Sequence, residues 1–232
     1  MSLSIHSLYK KIRPLFRGRR MAQFIATFQP DDRHRILDVG GYADFWASSG
    51  VASDITLLNI DPVPGDGLLP NMHTVLGDGT ALTYKDKSFS IVFSNSVIEH
   101  VGSFENQKRF AKECMRVGHG LWIQTPSKSF PIEPHFLSPF IHFFPRGLQR
   151  RMLRNFTVWG WLTRPSDTQI EDVLAEIRLL TLAEMERLFP GCEIRKEKFL
   201  GLTKSFIVVR KPPCPQERSP SNQRSVRGDR PD

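Results

Sequence analysis

Arg35-Ile36-Leu37-Asp38-Val39-Gly40-Gly41-Tyr42-Ala43-Asp44 is the stretch that decides the fold. Residues 35–39 are a short, largely apolar run that stops at two glycines. A parallel strand covered on both faces reads as such a run rather than as an alternation. The glycines let the following backbone approach a ligand, because no Cβ intrudes. A tight strand-to-helix turn would ask for the same residues.

Working outward, the same unit recurs. Ile55 to Ile60 reads as a second strand, closed by Asp61-Pro62, and Val63 to Pro70 as a loop. His73 to Leu76 reads as a third strand, ending at Gly77-Asp78-Gly79. Phe89 to Ser94 is a fourth, running into Asn95-Ser96-Val97-Ile98-Glu99-His100-Val101, and Leu121 to Gln124 a fifth. Phe45 to Ser49 reads as a short helix. Ser103 to Val117 reads as a longer one, with Phe104, Ala111 and Met115 on one face and Glu105 in the first turn. Thr181-x-x-Glu184 is a capping box that opens a helix closed by Pro190-Gly191. Cys192 to Phe199 and Thr203 to Arg210 read as a final hairpin at the sheet edge. The order β-α-β-β-α-β with short links predicts an α/β fold. It is an open, mostly parallel, seven-stranded sheet with helices on both faces and an antiparallel C-terminal edge strand.

The flanks read differently. Residues 1–28 form a basic helical segment, with Pro14 as the expected break. The main domain spans 29–210. Within it, 127–166 is rich in Pro, Phe and Arg and reads as a substrate-side insertion or lid. Residues 211–232 hold five prolines and scattered charge and read as a disordered tail.

Composition narrows the class. The 232 residues suit one domain with a full core. Three cysteines, Cys114, Cys192 and Cys214, are widely spaced and outside any Cys-x-x-Cys pattern. That argues against a disulfide framework and a cysteine zinc site, and fits a reducing compartment. No secretory signal or membrane-length apolar run is visible, so a cytoplasmic protein is expected. The net charge of +8 is uneven. Residues 1–20 hold six Lys or Arg and no acid, and 134–164 hold five Arg and no acid. Such faces are either simply solvated or attract an anionic partner.

In an open α/β sheet, ligands bind beyond the carboxyl ends of the strands. Asp61 there can accept hydrogen bonds from ribose hydroxyls, or simply serve a turn. Asp78, with the backbone beside it at Gly79, can read the edge of an adenine, although Asp-Gly is also common in turns. Asn95 and Ser96 face either a pocket or a helix start. Singly these signs are weak, but together their order and spacing are specific.

In that order the chain resembles the class I S-adenosylmethionine-dependent methyltransferases, and within them the type 11 branch. The matching segments are Ile36 to Gly41, Leu58 to Asp61, Gly77 to Leu82 and Phe89 to Val101. The resemblance covers roughly residues 33–126 and is looser across Arg178 to Ser205. It implies a Rossmann-like methyltransferase fold with S-adenosyl-L-methionine as cofactor. Asp38 and the Gly40-Gly41 backbone would hold its methionine part. Asp61 would take the ribose, Asp78 the adenine amine, and Asn95 the region near the sulfonium. The family loop usually alternates three glycines, whereas Tyr42 and Asp44 stand at the second and third here. Bacterial members with similar Gly-Gly loops tend to be associated with glycan or cell-envelope chemistry.

Methyl transfer to a hydroxyl is helped by a general base, and His100 and His135 are the candidates. Each could equally be a structural, hydrogen-bonded histidine. Glu99-His100 also resembles a Glu-x-x-Glu-His motif of small-RNA 2′-O-methyltransferases and ubiquinone-pathway O-methyltransferases, some of which are associated with a metal. Ser96 replaces the first acid here. A mixed oxygen and nitrogen site with Glu133 or His135 is conceivable on ligand chemistry, but the expectation is no metal. Residues 136–161 interleave Phe and Trp with Arg. They suggest a lid that also touches lipid, and an acceptor that is a small molecule, a glycan or lipid-linked. No nucleic-acid reader motif is visible. Two other readings stay open. A dinucleotide-dependent oxidoreductase would need Gly-x-Gly-x-x-Gly after strand one. An inactive methyltransferase-like binding module would explain Tyr42 and Asp44.

Overall fold

The computed structural model describes residues 5–62 and 67–212, with side chains from Phe16 onward. Most of the expected tail and half of the loop after Asp61 lie outside the described residues. Five parallel strands come first: β1 (Arg35–Val39), β2 (Asp54–Asn59), β3 (Met72–Leu76), β4 (Phe89–Asn95) and β5 (Gly118–Pro126). The short pair β6 (Ile132–Glu133) and β7 (Ser138–Pro139) follows, then β8 (Glu193–Phe199) and β9 (Leu202–Arg210). The main sheet has seven strands in the order β3-β2-β1-β4-β5-β9-β8. β9 runs antiparallel to β5, and β8 folds back on it at the edge.

Alternation along the strands sorts residues into two cores. Leu37, Leu58, Val92, Leu121, Ile123 and Val208 face one layer. There they meet Phe110 and Cys114 of α3 (Phe104–Val117) and Met185 of α7 (Leu182–Leu188). Ile36, Leu57, Ile91, Phe93, Trp122 and Ile207 face the other. There they meet Phe24 of α1 (Ile5–Phe28) and Trp46 of α2 (Ala43–Trp46). A period of two on each strand produces this division, so helices cover both faces.

Pro14 does not break α1, which runs through it to Phe28. A proline costs a helix one backbone bond and crowds the carbonyl four residues back, which strains the helix without always ending it. The C-terminal half is held by packing: the Phe24 ring lies 5.7 Å from Trp46, 5.1 Å from Phe93 and 5.8 Å from Trp122. The capping box at Thr181 forms as expected, with Glu184 closing the reciprocal bond.

The segment after β5 builds a small core of its own. α4 (Arg146–Asn155), α5 (Val158–Thr163) and α6 (Asp167–Glu176) gather Phe136, Ile141, Leu153, Ile170 and Leu174. Its aromatics divide: Phe136 and Trp159 pair inward at 5.7 Å, while Phe140, Phe143, Phe156 and Trp161 are exposed. No described helix is long and apolar enough to cross a membrane.

Candidate active site at the strand ends

A cavity of about 450 Å³ opens at the carboxyl ends of β1, β4 and β5. Gly40, Tyr42, Asn95, Ser96 and Gln124 line its strand side. Phe16, Phe130, Ile132, Pro134, Leu137 and Phe199 supply an apolar wall. Arg17, Arg20, Lys204 and Ser205 add polar groups.

Two backbone features shape the floor. Gly40 has φ +77°, and a Cβ there would stand 2.4 Å from Val97 Cγ2, so position 40 admits only glycine without rearrangement. Ser96 has φ +60°, a conformation unusual for a residue with a Cβ. It is held there by its N–H donating to the Gln124 carbonyl and its hydroxyl to Gln124 Oε1, both at 2.9 Å. Strain of this kind persists where surrounding structure over-determines it, commonly at ligand sites.

Asp38 lies beneath this loop and is buried. It accepts a hydrogen bond from Trp46 Nε1 at 2.7 Å. Its carboxylate folds so closely over Gly41 that a Cβ there would sit 2.0 Å from Asp38 Oδ2. Burial pushes the Asp38 carboxyl up to about 7, against the pull of the Trp46 hydrogen bond and the Arg17 charge. A cationic group beside it would reverse that shift.

Asp61 and Asp78 stand at neighbouring strand ends, since Leu58 pairs with Val39 and Leu76 with Asn59. Both are exposed, and neither is on the cavity wall. Asp78 accepts from Thr80 N at 2.7 Å and Thr80 Oγ1 at 2.8 Å, a local turn. Gly79 serves packing, because a Cβ there would be 2.8 Å from Val39 and 2.9 Å from Phe110. Ile60 and Leu76, 77% and 63% exposed, leave apolar surface beside the two acids. Tyr42 lines the cavity and is 56% exposed.

Residues distant in sequence complete the wall. Arg20 donates to Asn95 Oδ1 and Gln124 Oε1, each at 2.9 Å, and pairs with Glu197 Oε2 at 2.9 Å. Burial alone would raise the Glu197 carboxyl, but Arg20 and Ser205 hold it below its ordinary value. Burial lowers the Lys204 ammonium to about 8, despite Glu197 3.8 Å away. Lys204 Nζ sits 3.3 Å from the Phe16 ring centroid. The sequence reading missed Arg20, Glu197 and Lys204. The only available signal was an acid in the middle of a strand facing a basic helix across more than 170 positions.

His100 and His135 come together, with Nε2 atoms 3.1 Å apart, but neither lines the large cavity. Ile132 and Pro134 belong to its wall, while Glu133 between them lines a separate cavity of about 160 Å³. Burial opposes a charged His135, yet Glu133 raises it overall. Glu99, fully buried beside them, is raised by desolvation.

Comparison with known proteins bears on the fold and the family. A family model described as a methyltransferase domain matches residues 38–119. An uncharacterized methyltransferase of Mycolicibacterium gilvum is 33% identical over 89 residues, covering 35% of this chain. The chain spans about a third of that relative's length. Among solved structures, a chain of the Haloferax volcanii complex between the Trm112 methyltransferase activator and a candidate methyltransferase aligns with TM-score 0.51 and 10% identity. The alignment covers 83% of this chain and 89% of that one. A candidate sarcosine dimethylglycine methyltransferase of Galdieria sulphuraria aligns with TM-score 0.52 and 16% identity, over 79% of this chain and 63% of that one. Residues 38–119 thus match the methyltransferase-domain model, and the seven-stranded, mostly parallel sheet with its antiparallel edge strand is a Rossmann-like methyltransferase fold.

Proposed function

We propose that the chain binds S-adenosyl-L-methionine at the carboxyl ends of β1, β2 and β4 and transfers its methyl group to an acceptor held under the apolar wall. The observation that carries this is the open cavity over Gly40, Asn95 and Ser96, in a fold whose family match begins at Asp38. When bound, the cofactor supplies an electrophilic methyl on a sulfonium.

The chain's residues divide the remaining work. Asp38, with Gly40 and Gly41, takes the amino end of the cofactor, where a buried carboxyl near neutrality gains from a cation. Asp61 accepts from the ribose. Asp78 turns from Thr80 to the adenine amine, and Ile60 and Leu76 offer apolar surface to a flat base. Arg20 takes the Asn95 oxygen, so the Asn95 amide nitrogen is what that residue offers the cavity. The phenylalanine wall excludes water and aligns the acceptor. His100 and His135, the expected proton acceptors for a hydroxyl, do not line this cavity, and no base role is carried forward for them. Calorimetry with S-adenosylmethionine and S-adenosylhomocysteine tests the reading. One-to-one binding supports it. Binding of a nicotinamide dinucleotide instead, or of neither, rejects it.

The cavity also bears on the acceptor. Seven apolar side chains, Pro126 among them, surround it, while Arg17 and Lys204 bring positive charge. This supports an apolar, anionic acceptor: a small molecule, a glycan conjugate or a lipid-linked species. The exposed Phe140, Phe143, Phe156 and Trp161 next to arginines support peripheral contact with an anionic membrane. Co-sedimentation with phosphatidylglycerol vesicles at physiological salt checks that part, and absence of binding removes it.

A further inference from the structure

At the sheet edge, β8 and β9 are joined by a turn whose shape and sequence disagree. Phe199 pairs with Leu202, so Leu200 and Gly201 form a two-residue hairpin loop. Both have positive φ, 49° at Leu200 and 82° at Gly201. A loop of this shape favours Asn-Gly or Asp-Gly, because a short polar side chain tolerates the left-handed region and leucine does not. Leu200 is also 86% exposed, so its side chain gains nothing from the core. Leu202 beside it is 51% exposed. Backbone and solvation thus both disfavour leucine at this tip, and such a cost is commonly kept for a functional surface.

The tip adjoins the large cavity. Phe199 belongs to the cavity wall, with its ring centroid 5.8 Å from Phe16 and 6.4 Å from Phe130. From Phe130 the apolar strip passes Pro131, whose carbonyl accepts from the Phe140 N–H at 2.7 Å. It ends at the exposed Phe140 and Phe143 rings, 6.5 Å apart. The charge beside the tip is one-sided. Lys196 and Lys198 are exposed on β8, whereas Glu197 between them is taken by Arg20. Exposed apolar side chains flanked by lysines complement a bilayer surface with anionic headgroups.

We propose that the turn between β8 and β9, with Leu200 and Leu202 at its tip, inserts into the surface of an anionic membrane and sets the rim of the large cavity against the lipid. An acceptor then enters the cavity from the bilayer, which narrows it to a lipid or a lipid-linked molecule. This rests on the peripheral membrane contact proposed above and moves its centre from the segment after β5 to the hairpin. Insertion releases water from the leucines, and the lysines add attraction to the headgroups.

The test is co-sedimentation of the full chain with phosphatidylglycerol vesicles, comparing the wild type with Leu200→Asn. Asn-Gly suits the turn, so this variant is expected to raise the urea midpoint while weakening vesicle binding about 10-fold. Lys198→Gln is expected to weaken it about 5-fold, and phosphatidylcholine vesicles to retain neither protein. Binding of S-adenosylhomocysteine, read by calorimetry, stays at the wild-type value in Leu200→Asn, so a failure of the methyl-transfer reading shows separately. A wild type that ignores the anionic vesicles overturns the membrane contact altogether. Equal vesicle binding by wild type and Leu200→Asn overturns the role of the hairpin and leaves the contact to Phe156 and Trp161. A lowered midpoint in Leu200→Asn assigns the leucine to the fold and overturns the proposal. So does a dimer in sedimentation velocity that Leu200→Asn dissolves, because the tip then belongs to a second copy of the chain.

Discussion

Two polar clusters flank the carboxyl end of β5, and they are built on opposite plans. Around Arg20 every buried charge has its complement: Glu197, Asn95, Gln124 and Ser205 close a network that ties α1 to the sheet. Around Glu99 the accounts stay open, with a partnerless carboxylate oxygen and two facing imidazole nitrogens. A closed network fixes structure. An open one is kept buried at a cost in stability.

Substitutions can break this comparison. The largest effect is expected for Arg20→Ala, which removes the guanidinium paired with buried Glu197 and the polar tie from α1 to the sheet. Removing one partner of a buried ion pair costs about 3–5 kcal/mol, read as a lowered midpoint in urea unfolding. An unchanged midpoint would deny the closed network its structural role.

Asp38 gives a smaller, pH-dependent effect. Its folded carboxyl is raised to about 7 from an ordinary 3.8. The stability its protonation lends is full below the ordinary value and is lost as pH rises through 7. Asp38→Asn keeps an acceptor for Trp46 but cannot ionise. The variant is therefore expected to gain on the wild type between pH 5 and pH 8, by about 2 kcal/mol, while binding S-adenosylhomocysteine worse. A parallel pH dependence in both proteins would show that Asp38 is not the titrating group.

The smallest effect is expected at the open cluster. Glu99 is raised by burial, so it too favours the protonated form at low pH and loses stability as pH rises. Glu99→Gln keeps the Thr125 bond and removes the charge. It should change thermal stability at neutral pH by about 1 kcal/mol or less, read as a small shift in melting temperature. A large destabilisation would move this cluster to the structural side of the comparison.

Strands and turns were legible because their signals are local. The apolar run 35–39, the capping box at Thr181 and the hairpin after Cys192 each rest on neighbouring residues. The glycine pair was also legible, although the two glycines serve different ends. Gly40 supplies a positive φ, and Gly41 makes room for Asp38. The cavity wall was not legible, because Phe16, Phe130 and Phe199 meet only after folding. Charge patterning marked α1 as basic without showing that Arg20 is buried. The insertion 127–166 was read as a lid; Ser127, Phe130, Ile132, Pro134 and Leu137 from it line the large cavity, whereas of its aromatic and basic stretch 136–161 only Leu137 does. Periodicity alone does not say which aromatics of an irregular segment will find a core.

Hydrogen–deuterium exchange with and without S-adenosylhomocysteine tests the central claim most directly. The account predicts that the ligand slows exchange in three separated loops at once: 38–44, 59–62 together with 77–80, and 94–97. Protection confined to one loop, or found only in the segment after β5, would contradict a single adenosyl ligand spanning the strand ends.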